Sequence, residues 1–354
     1  MKNITNHFIS QDATLTDAVK KLEVLKTNAI LFVVDNELKL IGSLTDGDIR
    51  RAILSGKSLY SIVDECIQKE PVFIEKGNLK IEEIIYWREN NYKIIPIVNK
   101  EMRIIEILNF REKRSIVPLD CVIMAGGKGE RLKPLTDQIP KPLLPVGEKP
   151  IIEHLIDHYA YYGIENIFIT TNYLSDQLNT FIETKKSDNI SINVVQEAKF
   201  MGTIGSIKLI NNFYNDHVLV SNSDLLTNVD IEQFYLRFKT SGADCTILSV
   251  PYQIDIPFGV LQVENEILSQ IEEKPTYSYN TNGGMYIMKK ELLSLIPDNS
   301  IFSAIDFLQL LIKHNKKITL YNHYGYWLDI GNHNDYIRAQ HDVEYVYNKK
   351  NGIC

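Results

Sequence analysis

The sequence predicts an α/β protein of two domains, the larger of which has a mostly parallel sheet with helices on both faces. Three observations predict this fold class. The chain has 354 residues, which is more than one hydrophobic core usually serves. Its first third contains an internal repeat. Beyond the repeat, apolar strand patterns alternate with amphipathic helix patterns, as in parallel sheets covered by helices.

Composition indicates a globular chain without nucleic acid or membrane partners. Hydrophobic residues make up 44% and charged residues 23%, and no apolar run is long enough to cross a bilayer. The net charge of −7 argues against a nucleic-acid backbone as the partner. No secretory signal is present, and Cys66, Cys121, Cys245 and Cys354 have no metal or disulfide spacing. We therefore expect a cytoplasmic protein with free thiols.

The repeat is a duplicated hairpin. Segment 31–41 matches segment 95–105 at a constant offset of 64 residues. Both segments predict a strand, a tight turn and a second strand. A helical pattern precedes each hairpin, and we expect a further helix after each, beginning near Asp46 in the first copy and near Phe110 in the second.

The two copies define an N-terminal domain. We place the copies at about residues 8–60 and 61–114, within a domain of residues 1–115. A charged segment then gives way to Val-Pro-Leu and a glycine loop. The second domain is therefore placed at residues 119–354.

The repeat resembles the CBS domain, which normally occurs as a pair. The resemblance is carried by the order helix, strand, strand, helix and by Gly42, Thr45 and Asp48 at the end of the first copy's second strand. It implies that an adenine or guanine nucleotide effector binds at these three residues, where a carboxylate can accept from ribose hydroxyls. The same residues also fit a helix N-cap, so both interpretations remain open. A CBS pair further implies a homodimer.

The second domain opens with an apolar strand that runs into a glycine loop. Ala125, Gly126, Gly127 and Gly129 follow this strand. Glycine amides can approach a ligand closely and donate to phosphate oxygens. The spacing fits neither a dinucleotide-binding fingerprint nor a Walker A loop. An anion-binding loop of another kind is predicted.

Two cations follow the loop. Arg131 has a planar fork suited to phosphate oxygens, and Lys141 has a compact charge between two prolines that stiffen its backbone. Together with the glycines they predict a site for a polyphosphate.

This combination resembles the signature of the sugar-1-phosphate nucleotidylyltransferases, over about residues 120–345. The resemblance implies a Rossmann-like, GT-A-like three-layer sandwich with the CBS pair in front of it. It also implies transfer of a nucleoside monophosphate from a nucleoside triphosphate to a sugar-1-phosphate, release of pyrophosphate, and Mg²⁺ as the cofactor.

The resemblance assigns further site residues by their position in the family's motifs. Those implied are Gln196, Gly202 and Thr203 for the nucleobase, Gly259, Glu273 and Asn282 for the sugar, Lys274 for the sugar phosphate, and Asp224 and Asp329 for magnesium. Arg131, Lys141 and Lys274 are the implied catalytic cations.

The substrates are the least constrained part. A CBS pair fused to such a domain resembles bacterial guanylyltransferases that make GDP-glucosamine for legionaminic acid biosynthesis, which implies GTP and glucosamine-1-phosphate. Mannose-1-phosphate or another hexose-1-phosphate with UTP, CTP or dTTP remains open. A nucleotide-sensing subunit without turnover would not need two metal carboxylates. A glycosyltransferase fits the Arg131 and Lys141 pair less well than pyrophosphate as the leaving group does.

Overall fold

The structure, a computed structural model, describes residues 4–185 and 190–347. It divides into two compact units, with the division between Ile116 and Val117. Cys66, Cys121 and Cys245 are free thiols, and Cys354 lies outside the described residues. Within the described ranges, no helix is long and apolar enough to cross a membrane.

The first unit contains two copies of a small α/β motif. The elements of the first copy are β1 (Phe8–Ser10), α1 (Leu15–Leu25), β2 (Ile30–Val34), β3 (Leu40–Thr45) and α2 (Asp46–Leu54). The elements of the second copy are β4 (Ile74–Glu75), α3 (Ile81–Glu89), β5 (Ile94–Val98) and β6 (Ile104–Asn109). In each copy the first strand pairs in parallel with the second, and the second pairs antiparallel with the third.

The two copies agree in detail. The hairpin register shifts between Val33 and Val34 in one copy and between Ile97 and Val98 in the other, which are equivalent positions at the predicted offset. Side chains of β2, β3, β5 and β6 also share one hydrophobic cluster. The copies therefore fold as one body with a common core.

The prediction of a helix that begins near Phe110 is wrong. Residues 110–112 form a turn, since the amides of Glu112 and Lys113 both bond to the carbonyl of Asn109. The Asn109 side chain also accepts from the Arg111 amide, which is a local turn that competes with a helix. The second copy therefore ends after β6.

The second unit is built on a large sheet. Its elements begin with β7 (Asp120–Ala125), β8 (Pro145–Val146), β9 (Lys149–Pro150), α4 (Ile151–Tyr161), β10 (Asn166–Thr171), α5 (Ser175–Glu183), β11 (Ser191–Gln196), β12 (His217–Asn222) and β13 (Leu225–Thr227). They continue with α6 (Ile231–Ser241), β14 (Cys245–Asp255), β15 (Val260–Glu264), β16 (Ile267–Glu272), β17 (Thr276–Lys289), α7 (Ala304–Lys313), β18 (Ile318–Asn322), β19 (Trp327–Asp329) and α8 (His333–Tyr347). A short 3₁₀ helix, Gly205–Leu209, lies between β11 and β12.

The sheet order is β11-β10-β7-β12-β17-β14-β18. Strand β17 runs antiparallel to both neighbours, and the other neighbouring pairs are parallel. The predicted α/β class with a mostly parallel sheet is confirmed.

Helices cover both faces of this sheet. Val220 of β12 packs in one cluster with Phe307 and Leu311 of α7. The next residue, Ser221, accepts a hydrogen bond of 2.6 Å from Tyr159 of α4. Because consecutive strand residues point to opposite faces, α7 and α4 lie on opposite sides. The carboxyl ends of β7, β10 and β12 therefore meet at one edge between two helix layers, where ligands bind in such sheets.

Candidate active site

A cavity of about 690 Å³ lies at this edge of the sheet. Met124 and Asn222, near the ends of β7 and β12, and Asn172, which follows β10, form part of its wall. The rest comes from the glycine loop, the Lys141 segment, residues 200–203 and the loop that ends β19. Chain segments that are distant in sequence thus converge on one space.

The glycine loop fits closely over the lysine segment. Gly129 has a φ of +64°, and a Cβ there would come within 3.0 Å of side-chain atoms of both Lys141 and Thr136. The Thr136 hydroxyl donates to the Gly129 carbonyl at 2.9 Å. A residue with a side chain would be strained and crowded here, so glycine sets the path of the loop. Gly126 and Gly127 also line the cavity.

Two short strands place the predicted metal carboxylates side by side. Strands β13 and β19 form an antiparallel ribbon in which Leu225 pairs with Asp329. The amide of Ile330 donates to the carbonyl of Asp224 at 2.9 Å. Trp327 ties the ribbon to the main sheet, since its Nε1 donates to the carbonyl of Gly283 in β17 at 2.9 Å. The two aspartates therefore reach the cavity from a fixed frame.

Lys141 supplies the charge that these carboxylates need. Its ammonium pairs with Oδ2 of Asp224, and the two side chains are 11% and 18% exposed. Burial, with the adjacent negative charge of Asp224, raises the pKa of Asp329 to about 6, while Lys141 and Arg131 oppose the rise. Two carboxylates are crowded here against cations from other segments.

The carboxylates fit a magnesium ion. Oδ1 of Asp224 and Oδ1 of Asp329 are both buried and have no hydrogen-bond partner. Mg²⁺ in nucleotide enzymes is usually held by one or two carboxylates together with substrate phosphates and water. Among the described residues no group of three or more His, Cys, Asp or Glu side chains could form a metal cage. The donor set matches that mode of binding.

Many of the predicted site residues line the cavity. Those that line it are Gly126, Gly127, Gly129, Arg131, Lys141, Gly202, Thr203, Asp224 and Asp329. Ala125 is buried at the end of β7, directly before the loop. The Arg131 guanidinium lies beside Gly331, with Nη2 3.4 Å from where a Cβ would stand.

The predicted sugar residues lie elsewhere. Gly259, Glu273 and Lys274 belong to an exposed arm in which β15 and β16 pair as a separate hairpin. A side chain at Gly259 would lie 3.1 Å from the Glu273 carboxylate, so these two are neighbours as expected. Asn282 lies in β17, and its amide donates to the Tyr286 hydroxyl at 2.8 Å. In the described part of the chain none of them lines the cavity, and their roles stay predictions.

Gln196 also lies outside the cavity wall. Its Nε2 donates to the hydroxyl of Ser175 at 3.1 Å, at the start of α5. The neighbouring Glu197 is 3% exposed and accepts from the Met201 amide at 3.0 Å. Its other oxygen, Oε1, has no partner and lies only 2.5 Å from where a Cβ on Gly126 would stand. Glu197 rather than Gln196 thus lies directly behind the cavity.

The comparison with protein-family models decides the family. The model of the nucleotidyl transferase family, described as "Nucleotidyl transferase", matches residues 120–345, which is well over half of the chain. This chain is a member of the nucleotidyl transferase family. A second model, the CBS domain, matches residues 3–55 and so confirms a CBS domain in the first unit.

Curated relatives of this nucleotidyl transferase have related names. It is 30% identical over 233 residues to the mannose-1-phosphate guanylyltransferase of Mycobacterium tuberculosis, covering 64% of each chain. It is 28% identical over 230 residues to the D-glycero-alpha-D-manno-heptose 1-phosphate guanylyltransferase of Aneurinibacillus thermoaerophilus, covering 64% of this chain and 99% of that one. The chain spans about 62% to 64% of the length of the first curated relatives that it matches.

Solved structures show the same fold. The HddC protein of Yersinia pseudotuberculosis is 27% identical, with a TM-score of 0.50 over 63% of this chain and 99% of that one. A Bacillus anthracis protein named as a candidate glucose-1-phosphate thymidylyltransferase, crystallised with sucrose, is 26% identical, with a TM-score of 0.52 over 64% of this chain and 95% of that one.

Sequence reasoning missed several residues of the nucleotidyl transferase unit. Asn172, Phe200 and Asn222 line the cavity and were not predicted. Asn172 and Asn222 stand where parallel strands end, which is the edge where ligands bind in such sheets. That position could have identified both asparagines, whereas nothing in the sequence pattern marks Phe200.

The residues predicted to hold an effector form a capping box in the first unit. The Thr45 hydroxyl donates to Asp48 at 2.6 Å, and the Thr45 amide donates to Asp48 at 2.8 Å. Arg51 pairs with the other oxygen of Asp48 at 2.5 Å. A Cβ on Gly42 would lie 2.6 Å from Ile67. The structure thus shows the capping interpretation, and the effector site stays a prediction.

Proposed function

We propose that this chain transfers the guanylyl group of GTP to a hexose-1-phosphate and releases pyrophosphate. The observation that carries the proposal is the cavity itself. It combines two carboxylates with orphaned oxygens, Asp224 and Asp329, with two cations, Arg131 and Lys141, and a glycine loop. This set suits a triphosphate that must be neutralised and aligned.

The chemistry requires positioning rather than a general base. An oxygen of the sugar phosphate already carries negative charge, so it can attack the α-phosphorus directly. The bond from that phosphorus to the oxygen bridging to the β-phosphate breaks, and pyrophosphate leaves with the bonding electrons. Lys141, Arg131 and the loop amides would hold the charge that develops on the departing group.

Asp224 and Asp329 would hold the magnesium ion. When bound, Mg²⁺ supplies neutralisation of phosphate charge and fixes the direction of attack.

Two observations support guanine as the base. The curated relatives include several enzymes named as guanylyltransferases. In addition, Glu197 presents an unpartnered carboxylate oxygen behind Gly126. A carboxylate accepts hydrogen bonds and cannot donate when ionised, and guanine offers adjacent N–H donors on one edge. Uracil and thymine offer one N–H between two carbonyl oxygens, which a carboxylate would repel.

Two sugars are proposed. The names of the relatives favour mannose-1-phosphate. The fusion with a CBS domain favours glucosamine-1-phosphate, and hence a place in legionaminic acid biosynthesis. Glu273 discriminates between them, because the ammonium group of glucosamine would gain a charge-assisted hydrogen bond that the mannose hydroxyl lacks.

The experiment is pyrophosphate release with Mg²⁺ over a matrix of nucleoside triphosphates and hexose-1-phosphates. GTP with one of the two sugars should give the highest kcat/KM. If the sugar is glucosamine, Glu273→Gln should raise its KM far more than that of mannose-1-phosphate. Higher activity with UTP or dTTP would contradict the guanine proposal. No turnover with nucleotide binding intact would favour the sensing subunit.

A further inference from the structure

Phe200 is an aromatic residue whose side chain is exposed in the cavity. Its side chain is 45% exposed and lines the cavity together with Gly202, Thr203 and Asn172. The next residue, Met201, is 2% exposed and belongs to the protein interior. In the described ranges the Phe200 ring stacks on no other aromatic ring. Water therefore contacts a ring that the loop holds out of the core.

The loop around Phe200 is firmly held. The Met201 amide donates to Glu197, and the Met201 carbonyl accepts from Phe302 at 3.0 Å. Gly202 has a φ of +82°, and a Cβ there would lie 2.4 Å from the Phe302 carbonyl oxygen. Backbone contacts thus fix the two residues that directly follow Phe200.

The cavity wall includes both charged and uncharged residues. The charged side chains in its wall include Lys128, Arg131, Lys141, Asp224 and Asp329. The uncharged residues Gly202 and Thr203 follow Phe200 closely in the chain, and the uncharged Asn172 donates to the carbonyl of Glu197 at 3.2 Å. Phosphates and metal suit the first set. The second set suits the flat, mostly uncharged part of a nucleotide.

We propose that Phe200 is the stacking surface for the nucleobase of the bound nucleoside triphosphate. This inference rests on the proposed function, because it assumes that a nucleotide occupies the cavity. Aromatic side chains bind bases through their faces, and every base has such a face. Phe200 therefore contributes affinity for any base, whereas the choice between bases belongs to the groups that meet the base edge.

The test measures binding without turnover, by titrating GTP and Mg²⁺ into the full chain in the absence of sugar phosphate. Phe200→Ala should weaken GTP binding by about 5- to 150-fold, the range for loss of one base–aromatic stack. Phe200→Trp should keep the affinity within about threefold, since indole stacks at least as well. Inorganic tripolyphosphate, which has no base, should bind wild type and Phe200→Ala equally.

Tyr345→Ala is the matched control. Tyr345 is an aromatic residue on α8, is 81% exposed and does not line the cavity, so GTP affinity should not change. Equal losses of GTP and tripolyphosphate binding in Phe200→Ala would show a collapsed loop and overturn the proposal. Unchanged GTP affinity would overturn it as well.

The experiment tests the stacking proposal and the assignment of GTP separately. If the wild type prefers another nucleoside triphosphate, the assignment of GTP fails, and the same variants are titrated with that nucleotide. Selective loss in Phe200→Ala would then still support stacking. If the wild type binds no nucleoside triphosphate, both the proposed function and this inference are wrong.

Discussion

His158 of α4 is a half-buried titratable group that the fold keeps neutral. Its Nε2 donates to the carbonyl of Val229 at 2.8 Å, and the ring packs edge-on against Tyr159 and Tyr162. Burial lowers the pKa of His158 to about 4 from its ordinary value of 6.5, although the Val229 contact and the charge of Asp230 oppose this. Protonation would place a charge where water has little access.

The size of the effect follows from this shift. In the unfolded chain His158 takes up a proton below about pH 6.5, whereas in the folded chain it does so only near pH 4. The unfolded state binds more protons in this window, so stability increases with pH across it. Since each pH unit corresponds to about 1.4 kcal/mol, lowering the pKa from 6.5 to about 4 corresponds to roughly 3 kcal/mol of stability. Stability should fall by about this amount between pH 6.5 and pH 4.

The measurement compares wild type with His158→Gln, which keeps an N–H donor but cannot titrate. The two tryptophans are Trp87 and Trp327, so a Trp87→Phe background leaves Trp327 as a reporter for the second unit. Burial also lowers the pKa of His154, His217 and His323, so part of the decrease remains in the variant. Urea unfolding should show a smaller decrease in the variant. Parallel decreases of wild type and variant would refute the reasoning.

Three further predictions concern the cavity and the first unit. Asp329→Asn should lower kcat by on the order of 10²- to 10³-fold, since it removes one of the two carboxylates proposed for magnesium. Asp298, in a loop, has a side chain that is 80% exposed, and Asp298→Asn should leave kcat unchanged. Similar effects of both substitutions on pyrophosphate release would count against the metal assignment. Gly202→Ala should lower the free energy of unfolding by about 1–3 kcal/mol or more, because Gly202 has a positive φ and an added Cβ would clash with the Phe302 carbonyl. Gly127→Ala, with no atom within 4 Å of the added Cβ, should leave the unfolding temperature unchanged. Equal stability of the two variants would be inconsistent with this packing. If an adenine or guanine nucleotide binds the first unit, it should raise the unfolding temperature. Asp48→Asn should abolish that rise, whereas Asp17→Asn, in the equivalent capping box of α1, should not. An unfolding temperature that no nucleotide changes would remove support for the effector site.

Much of the fold could be read from the sequence because its patterns are periodic. The repeated hairpin, the strand before the glycine loop and most helices of the second unit follow from spacing and apolar periodicity. The helix expected near Phe110 failed because the side chain of Asn109 bonds locally, and such competition leaves no trace in hydrophobic periodicity.

The site was harder to predict, because the order of motifs along the chain does not give the distances between them in space. Asp224 and Asp329 were expected together, and the β13–β19 ribbon places them together. Glu273 belongs to a motif in the same order, yet it lies on an arm outside the cavity. Gln196 was predicted for the nucleobase, but its neighbour Glu197 is the residue that lies behind the cavity. The two differ because neighbouring side chains at a strand end point in opposite directions.

The most direct test of the central claim follows the α-phosphate of GTP. GTP labelled with ³²P at the α-position would be incubated with the full chain, Mg²⁺ and either glucosamine-1-phosphate or mannose-1-phosphate. The account predicts that the label moves into a GDP-sugar and that unlabelled pyrophosphate is released in equal amount. Label remaining in GTP, or appearing in GDP with release of inorganic phosphate, would contradict it.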